Sequence, residues 1–227
     1  MLKDFFSIIF PQVCVACGKP LLKEEQSLCA LCVYKLPKTD FHLETENPVA
    51  KIFWGRAPVH AAASYYRFEK GGKVQHLMHQ LKYKGQRQIG VAIGELYGTE
   101  LKKSKLFNSV DLIIPVPLHK RKIKVRGYNQ SEAFAEGLSQ SMKVATNFET
   151  LYRAVDSETQ TRRTRFLRWK NVETIFQLKD DITLQGKHIL LVDDVVTTGA
   201  TLEACIQTLQ KIPNVKISIA TIAWASH

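Results

Sequence analysis

The apolar positions of this chain change period along its length, and the changes mark out its elements. "GGKVQHLMHQLKYKG" places Val74, Leu77, Met78 and Leu81 at helical spacing and stops at Gly85. Residues 87–103 repeat the pattern with Ile89, Ile93, Leu96, Tyr97 and Leu101. "NQSEAFAEGLSQSM" and "GATLEACIQTLQKI" also read as helices. Between them lie apolar runs of strand length: "VHAAASYYRF", "VDLIIPVPL", the short "TIFQL", "KHILLVDD" and "VKISIATIAW". Strands alternating with helices predict an α/β domain, a mostly parallel sheet flanked by helices.

This pattern starts only near Val59. The expected organisation is a small module over 1–40, a linker over 41–57 and the α/β domain over 58–227. The 41–57 stretch is polar and contains Pro48 and Gly55, which suits a linker. "FFSIIF" (Phe5–Phe10) ends at Pro11, far short of the roughly 20 residues that span a bilayer. It reads as a short helix packed on the main domain, with membrane-surface contact as the alternative. It lacks a signal-peptide layout, so the expectation is a cytoplasmic protein with no transmembrane segment.

The first 40 residues carry Cys14, Cys17, Cys29 and Cys32, two C-x-x-C pairs separated by eleven residues. That spacing is a zinc-ribbon signal, and four thiolates would close a tetrahedral, structural site. Two disulfides or four unligated thiols are the alternatives, the first disfavoured in the cytosol. His42 reads as a surface histidine and Cys205 as a buried core residue inside a helix.

Charge adds a partner class. The net charge is +11, and residues 59–227 hold 25 Lys/Arg against 15 Asp/Glu. "HKRKIKVRGYNQ" (119–130) and "TQTRRTRFLRWKNV" (159–172) each hold five basic residues and no acid. Such fields favour an anion, either nucleic acid or a phosphorylated small molecule.

The chemistry concentrates in "ILLVDDVVTTGATL" (189–202). A buried strand ends in Asp193 and Asp194, and a small turn, Thr197, Thr198, Gly199, Ala200 and Thr201, leads into a helix. Backbone N–H groups at a helix N-terminus favour a phosphate, and Gly199 lets the backbone approach it. The carboxylates need donors instead, either sugar hydroxyls or a bridging Mg²⁺. A ribose 5-phosphate unit satisfies both halves. An ordinary helix N-cap explains one Asp and one Thr but not the block.

"VDDVVTTGAT" resembles the signature of type I phosphoribosyltransferases, which bind 5-phosphoribosyl 1-pyrophosphate (PRPP). "LKYKGQR" is similar to that group's pyrophosphate loop, with Lys84 and Gly85 in the critical places. "DLIIPVPLHKRKIKVRGYNQSEAFAEGL", "TQTRRTRFLRWKNV" and the four-cysteine module are similar to blocks of the ComF family, so the resemblance covers nearly the whole chain. It implies a type I phosphoribosyltransferase fold with an N-terminal zinc ribbon. Asp193 and Asp194 would hold the ribose hydroxyls, Thr197 to Thr201 the 5-phosphate, and Lys84 with Mg²⁺ the pyrophosphate. Catalytic roles would fall to Asp193, Asp194 and Lys84, and Arg126, Arg163 and Arg168 are candidate loop contacts.

Two departures narrow the activity. Thr197 stands where hypoxanthine-type salvage enzymes carry an acid. Residue 2 is leucine and residues 1–57 are too short for a glutaminase domain, so an amidotransferase half is not expected. The expectation is a PRPP- and Mg-binding phosphoribosyltransferase-like protein of unassigned acceptor. The alternative is a single-stranded DNA-handling protein of DNA uptake, natural competence in the resemblance's terms, with PRPP binding regulatory or vestigial. Tyr128, Phe166 and Trp169 lie among the basic residues as stacking candidates. A PRPP sensor without turnover is the third possibility.

Overall fold

The computed structural model describes residues 12–154, 175–179 and 182–226. Five parallel strands form the main sheet in the order β1-β7-β6-β2-β3. They are β1 (Ala61–Phe68), β2 (Leu112–Pro115), β3 (Ala145–Thr146), β6 (His188–Val196) and β7 (Lys216–Ala225). The central pair β6 and β7 is buried almost from end to end, as strands covered on both faces must be. The sequence-based expectation of a mostly parallel sheet flanked by helices therefore holds.

Four helices join these strands: α3 (Lys73–Tyr83), α4 (Arg87–Leu101), α6 (Gln130–Met142) and α7 (Ala200–Leu209). Shorter helices α1 (Ala30–Lys35) and α2 (Pro48–Lys51) precede the sheet. α5 (Lys120–Arg126) lies in the basic stretch that the hydrophobic pattern left without an element, because none of its residues is buried. "TIFQL" does form a strand, β5 (Phe176–Leu178), but it leaves the main sheet to pair antiparallel with β4 (Leu151–Arg153).

The 41–57 stretch does not run free as a linker. Phe41, Val49, Ala50 and Phe53 are buried in the same core as the sheet. Buried Asn47 caps α2 through its side-chain oxygen and donates to the carbonyls of Phe41, Glu44 and Ala62, which staples the stretch to β1. Composition made it look loose; one buried amide and four apolar anchors hold it down.

α4 and α6 cross at very short range. A methyl group at Gly137 would sit 2.0 Å from the Val91 carbonyl oxygen, and one at Gly94 would sit 2.4 Å from the Phe134 carbonyl oxygen. Glycine here is a spacing device. It lets the two helices lie almost backbone to backbone. Among the described residues no helix is long and apolar enough to cross a membrane.

Gly137→Ala must push the two helices apart. The expected loss is about 1–3 kcal/mol of stability, read from the midpoint of urea unfolding; an unchanged midpoint would show that the helices have slack.

Candidate functional site

The site begins where β2 stops. Pro115 is the last residue of β2 paired with β6, opposite Val192. β6 continues to Val196, so Asp193 and Asp194 extend past one neighbour, and a crevice opens at the carboxyl ends of the strands. Ligands of open α/β sheets bind in such a place. Both aspartates are inside the strand, not in the turn after it.

Asp193 is held by neighbours on two sides. Its Oδ1 accepts from the Ser131 hydroxyl at 2.9 Å and from the Asp194 backbone N–H at 2.8 Å. Ser131 is positioned from the end of β2: Asn129 donates to the Val116 carbonyl at 3.0 Å and caps α6 by accepting from the Ser131 N–H. Burial, and then the charge of Asp194, push the Asp193 carboxyl up to about 7, although Ser131, the Asp194 N–H and Lys82 oppose the rise. Asp194 has a different partner. Its Oδ2 lies 3.1 Å from the Lys82 ammonium, which reaches across from α3.

Thr197, Thr198, Ala200 and Thr201 are exposed around buried Gly199. Together with Asp193 they line a cleft of about 60 Å³. Gly199 caps α7 with φ +74°, and no side chain takes the cap bond, so the first N–H groups of α7 face the cleft. The loop is backed from behind. A methyl at Gly199 would meet Ile52 Cγ2 at 2.6 Å and the Phe53 ring at 3.1 Å. Arg56 donates to the Thr198 carbonyl at 2.8 Å and pairs with Glu203 on α7. The 41–57 stretch thus forms the rear wall of this loop.

Lys84 and Gly85 form the exposed turn between α3 and α4, with Gly85 at φ +67°. The Lys82–Asp194 contact is what brings the end of α3 to the acid pair. Tyr128 donates to the Leu81 carbonyl, and the Arg126 guanidinium lies 5.5 Å from the centre of the Tyr83 ring. Arg126 therefore stands beside the α3–α4 turn, while its other bond goes to Gln130 at 2.7 Å. Arg163, Arg168, Phe166 and Trp169 lie outside the described residues.

Lys82, Ser131 and Arg56 escaped the sequence reading. For Ser131 a signal existed: Asn129 and Glu132 frame a helix start, and their side chains do bond, at 3.2 Å. Lys82 and Arg56 act across the fold and leave no local mark.

Comparison with known proteins bears on this geometry. Residues 129–226, from the cap of α6 to the end of β7, match the family described as "Phosphoribosyl transferase domain". The "DNA utilization protein YhgH" of Shigella flexneri is 30% identical over 201 residues, 87% of this chain and 83% of that protein. "Competence protein ComFC" of Bacillus subtilis (strain 168) is 26% identical over 195 residues, 84% of this chain and 68% of that one. "Competence protein F" of Haemophilus influenzae is 28% identical over 155 residues, 66% and 67% of the two chains. The chain belongs to the ComF family. Its domain is that of the type I phosphoribosyltransferase superfamily.

In this ComF chain the four cysteines converge. Cys14, Cys17, Cys29 and Cys32 place their sulfurs within 4.8 Å of one another, and Cys17 Sγ lies 3.8 Å from Cys29 Sγ. Tetrahedral Zn–S bonds of about 2.3 Å would set sulfurs roughly 3.8 Å apart, so the donor set fits a structural zinc. Gly18, at φ +72°, donates to the Cys14 carbonyl at 2.7 Å and shapes the first knuckle. Cys29 opens α1 and donates its N–H to Cys14 Sγ at 3.3 Å. Burial raises the Cys14 thiol, but N–H groups of Cys29, Ala16 and Cys17 outweigh it and bring the thiol down to about 7. His42 stands apart from this cluster and is not a surface residue. It is buried, edge-on to Tyr97 and 3.9 Å from Glu100, and burial lowers its pKa.

Cys32→Ser is expected to drop the bound zinc from about one per chain, measured by elemental analysis, and to lower the melting temperature. Equal zinc content in variant and wild type would sink the assignment.

Proposed function

We propose that the protein binds PRPP, with Asp193 and Asp194 receiving the ribose hydroxyls and the Thr197–Thr201 loop receiving the 5-phosphate. The carrying observation is the placement of two unlike halves side by side. An acid pair projects past the end of β2, and the open N-terminus of α7 follows within a few residues on the same strand. A ligand that is a diol at one end and a phosphate monoester at the other matches both. Membership of a superfamily whose domain is named for phosphoribosyl transfer supports the same ligand.

Each part has a physical role. The N–H groups of α7 and the threonine hydroxyls neutralise the phosphate without a full positive charge. Asp194 orients the sugar, and Asp193 is held rigid by Ser131 and the Asp194 N–H. Lys84 on the exposed α3–α4 turn would meet the pyrophosphate, with Arg126 beside it. Mg²⁺, an oxygen-seeking cation, would supply charge neutralisation to the pyrophosphate and the sugar when it enters with the ligand. Thr197 offers the loop no carboxylate, so this loop supplies no base to an acceptor. The reading is therefore a phosphoribosyltransferase-like site that binds and activates the donor.

Calorimetric titration of PRPP with Mg²⁺ tests it. Asp194→Asn is expected to bind at least about tenfold more weakly than wild type. Asp193 sets the pH dependence. Its pKa is raised to about 7, so the carboxylate is lost as pH falls through 7, and affinity should fall about tenfold from pH 8 to pH 6. No heat with the wild-type protein, or a flat pH profile, would count against the site.

A second reading concerns DNA. α5 exposes Lys120, Lys122 and Lys124, leaves Arg126 half-buried, and buries none of its residues. Relatives carry the names "DNA utilization protein" and "Competence protein". We propose that this basic helix contacts single-stranded DNA during uptake. Affinity for a single-stranded oligonucleotide should then fall at least about tenfold between roughly 50 and 200 mM salt. Alanine at Lys120, Lys122 and Lys124 should flatten that slope; an unchanged slope would remove α5 from the interface.

A further inference from the structure

We propose that Lys82 is a displaceable counter-ion. It holds the acid pair closed before ligand arrives, then yields Asp194 to the sugar and turns to the pyrophosphate. The inference rests on the PRPP reading above and deepens it. Lys82 belongs to α3, whereas the residues assigned to the pyrophosphate lie in the turn two residues further on. Its contact with Asp194 is the bond that ties that turn to the sugar-binding acids.

Asp193 Oδ1 already accepts two hydrogen bonds, from Ser131 and from the Asp194 N–H. Most of the capacity left to receive a diol therefore sits on Asp194, and Lys82 occupies its Oδ2 at 3.1 Å. An ammonium carries only donors. It competes with hydroxyl donors for the same lone pairs and repels a divalent cation. The sugar cannot take full possession of Asp194 until Lys82 leaves.

Lys82 is able to leave. Its side chain keeps 22% of its surface exposed against 13% for Asp194, so the ammonium is the wetter end of the pair, and the cost of parting is offset when the ligand supplies new partners to both charges. The backbone beneath it is held while the head group is free to swing. Leu81 is fully buried and its carbonyl accepts from Tyr128, and Tyr83 lies under Arg126. Four rotatable bonds carry the ammonium from a fixed base. Beyond Tyr83 the chain turns through exposed Lys84 and Gly85, the place assigned to the pyrophosphate. The released charge would arrive where the ligand is most negative.

The exchange makes an unusual demand: ligands with and without pyrophosphate must respond in opposite directions. Titrate ribose 5-phosphate and PRPP, each with Mg²⁺ at pH 8, into wild type, Lys82→Met and Lys82→Arg. Lys82→Met is expected to bind ribose 5-phosphate about threefold more tightly, because the competitor is gone. It should bind PRPP about tenfold more weakly, because the pyrophosphate has lost a cation. Lys82→Arg should recover the PRPP affinity. Parallel weakening of both ligands would make Lys82 a structural prop, and parallel tightening would make it a blocker only; either overturns the exchange. Wild type that binds neither ligand overturns the PRPP reading itself, a different result from wild type that binds both. Should Lys82→Met fail to fold, Lys82→Gln carries the same opposed expectation.

Discussion

Two carboxylates forced together at the end of a buried strand are the constraint on which the site depends. Side by side in a low-dielectric place they repel, and burial alone disfavours their charge. The fold answers with donors from three directions. Ser131 comes from the first turn of α6, the Asp194 N–H from the strand itself, and Lys82 from α3. Each must be delivered accurately. The Asn129 bonds to the end of β2 and to the Ser131 N–H serve that delivery. Features far apart in the sequence therefore share one electrostatic purpose.

The phosphate side of the site is built on the opposite principle. Among the described residues, no charged side chain lines the Thr197–Thr201 cradle apart from Asp193 at its edge. Attraction for an anion comes from backbone dipoles, which are fixed by the helix and cost nothing to reorient. On the proposed reading, one end of the ligand would meet titratable groups and the other permanent ones. Only the first is sensitive to pH near neutrality.

Much of this was legible in the sequence. Long periodic segments such as 73–83, 87–101 and 130–142, and the apolar strands 188–196 and 216–225, announce themselves because one hydrophobic pattern dominates each. The acid pair, the small turn and the paired cysteines are local motifs, so they too were readable. What stayed hidden was of two kinds. α5 carries no buried residue, so no hydrophobic pattern points to it. Lys82 and Arg56 matter through partners 112 and 142 positions away, and no local window contains such pairs. The 41–57 stretch was misread for a related reason: its anchors are few, and their partners lie in β1 and α7.

That stretch has a consequence for how the chain can be divided. Ile52 and Phe53 fill the space behind Gly199, and Arg56 grips the Thr198 carbonyl and Glu203. The loop that would receive phosphate is therefore an interlocking joint, half of which belongs to the segment before β1. A chain beginning at residue 58 would retain every motif residue of the phosphate loop and lose the wall that shapes it. In such a fragment the ordering of the loop would be charged to each binding event; in the intact chain it is settled once, during folding.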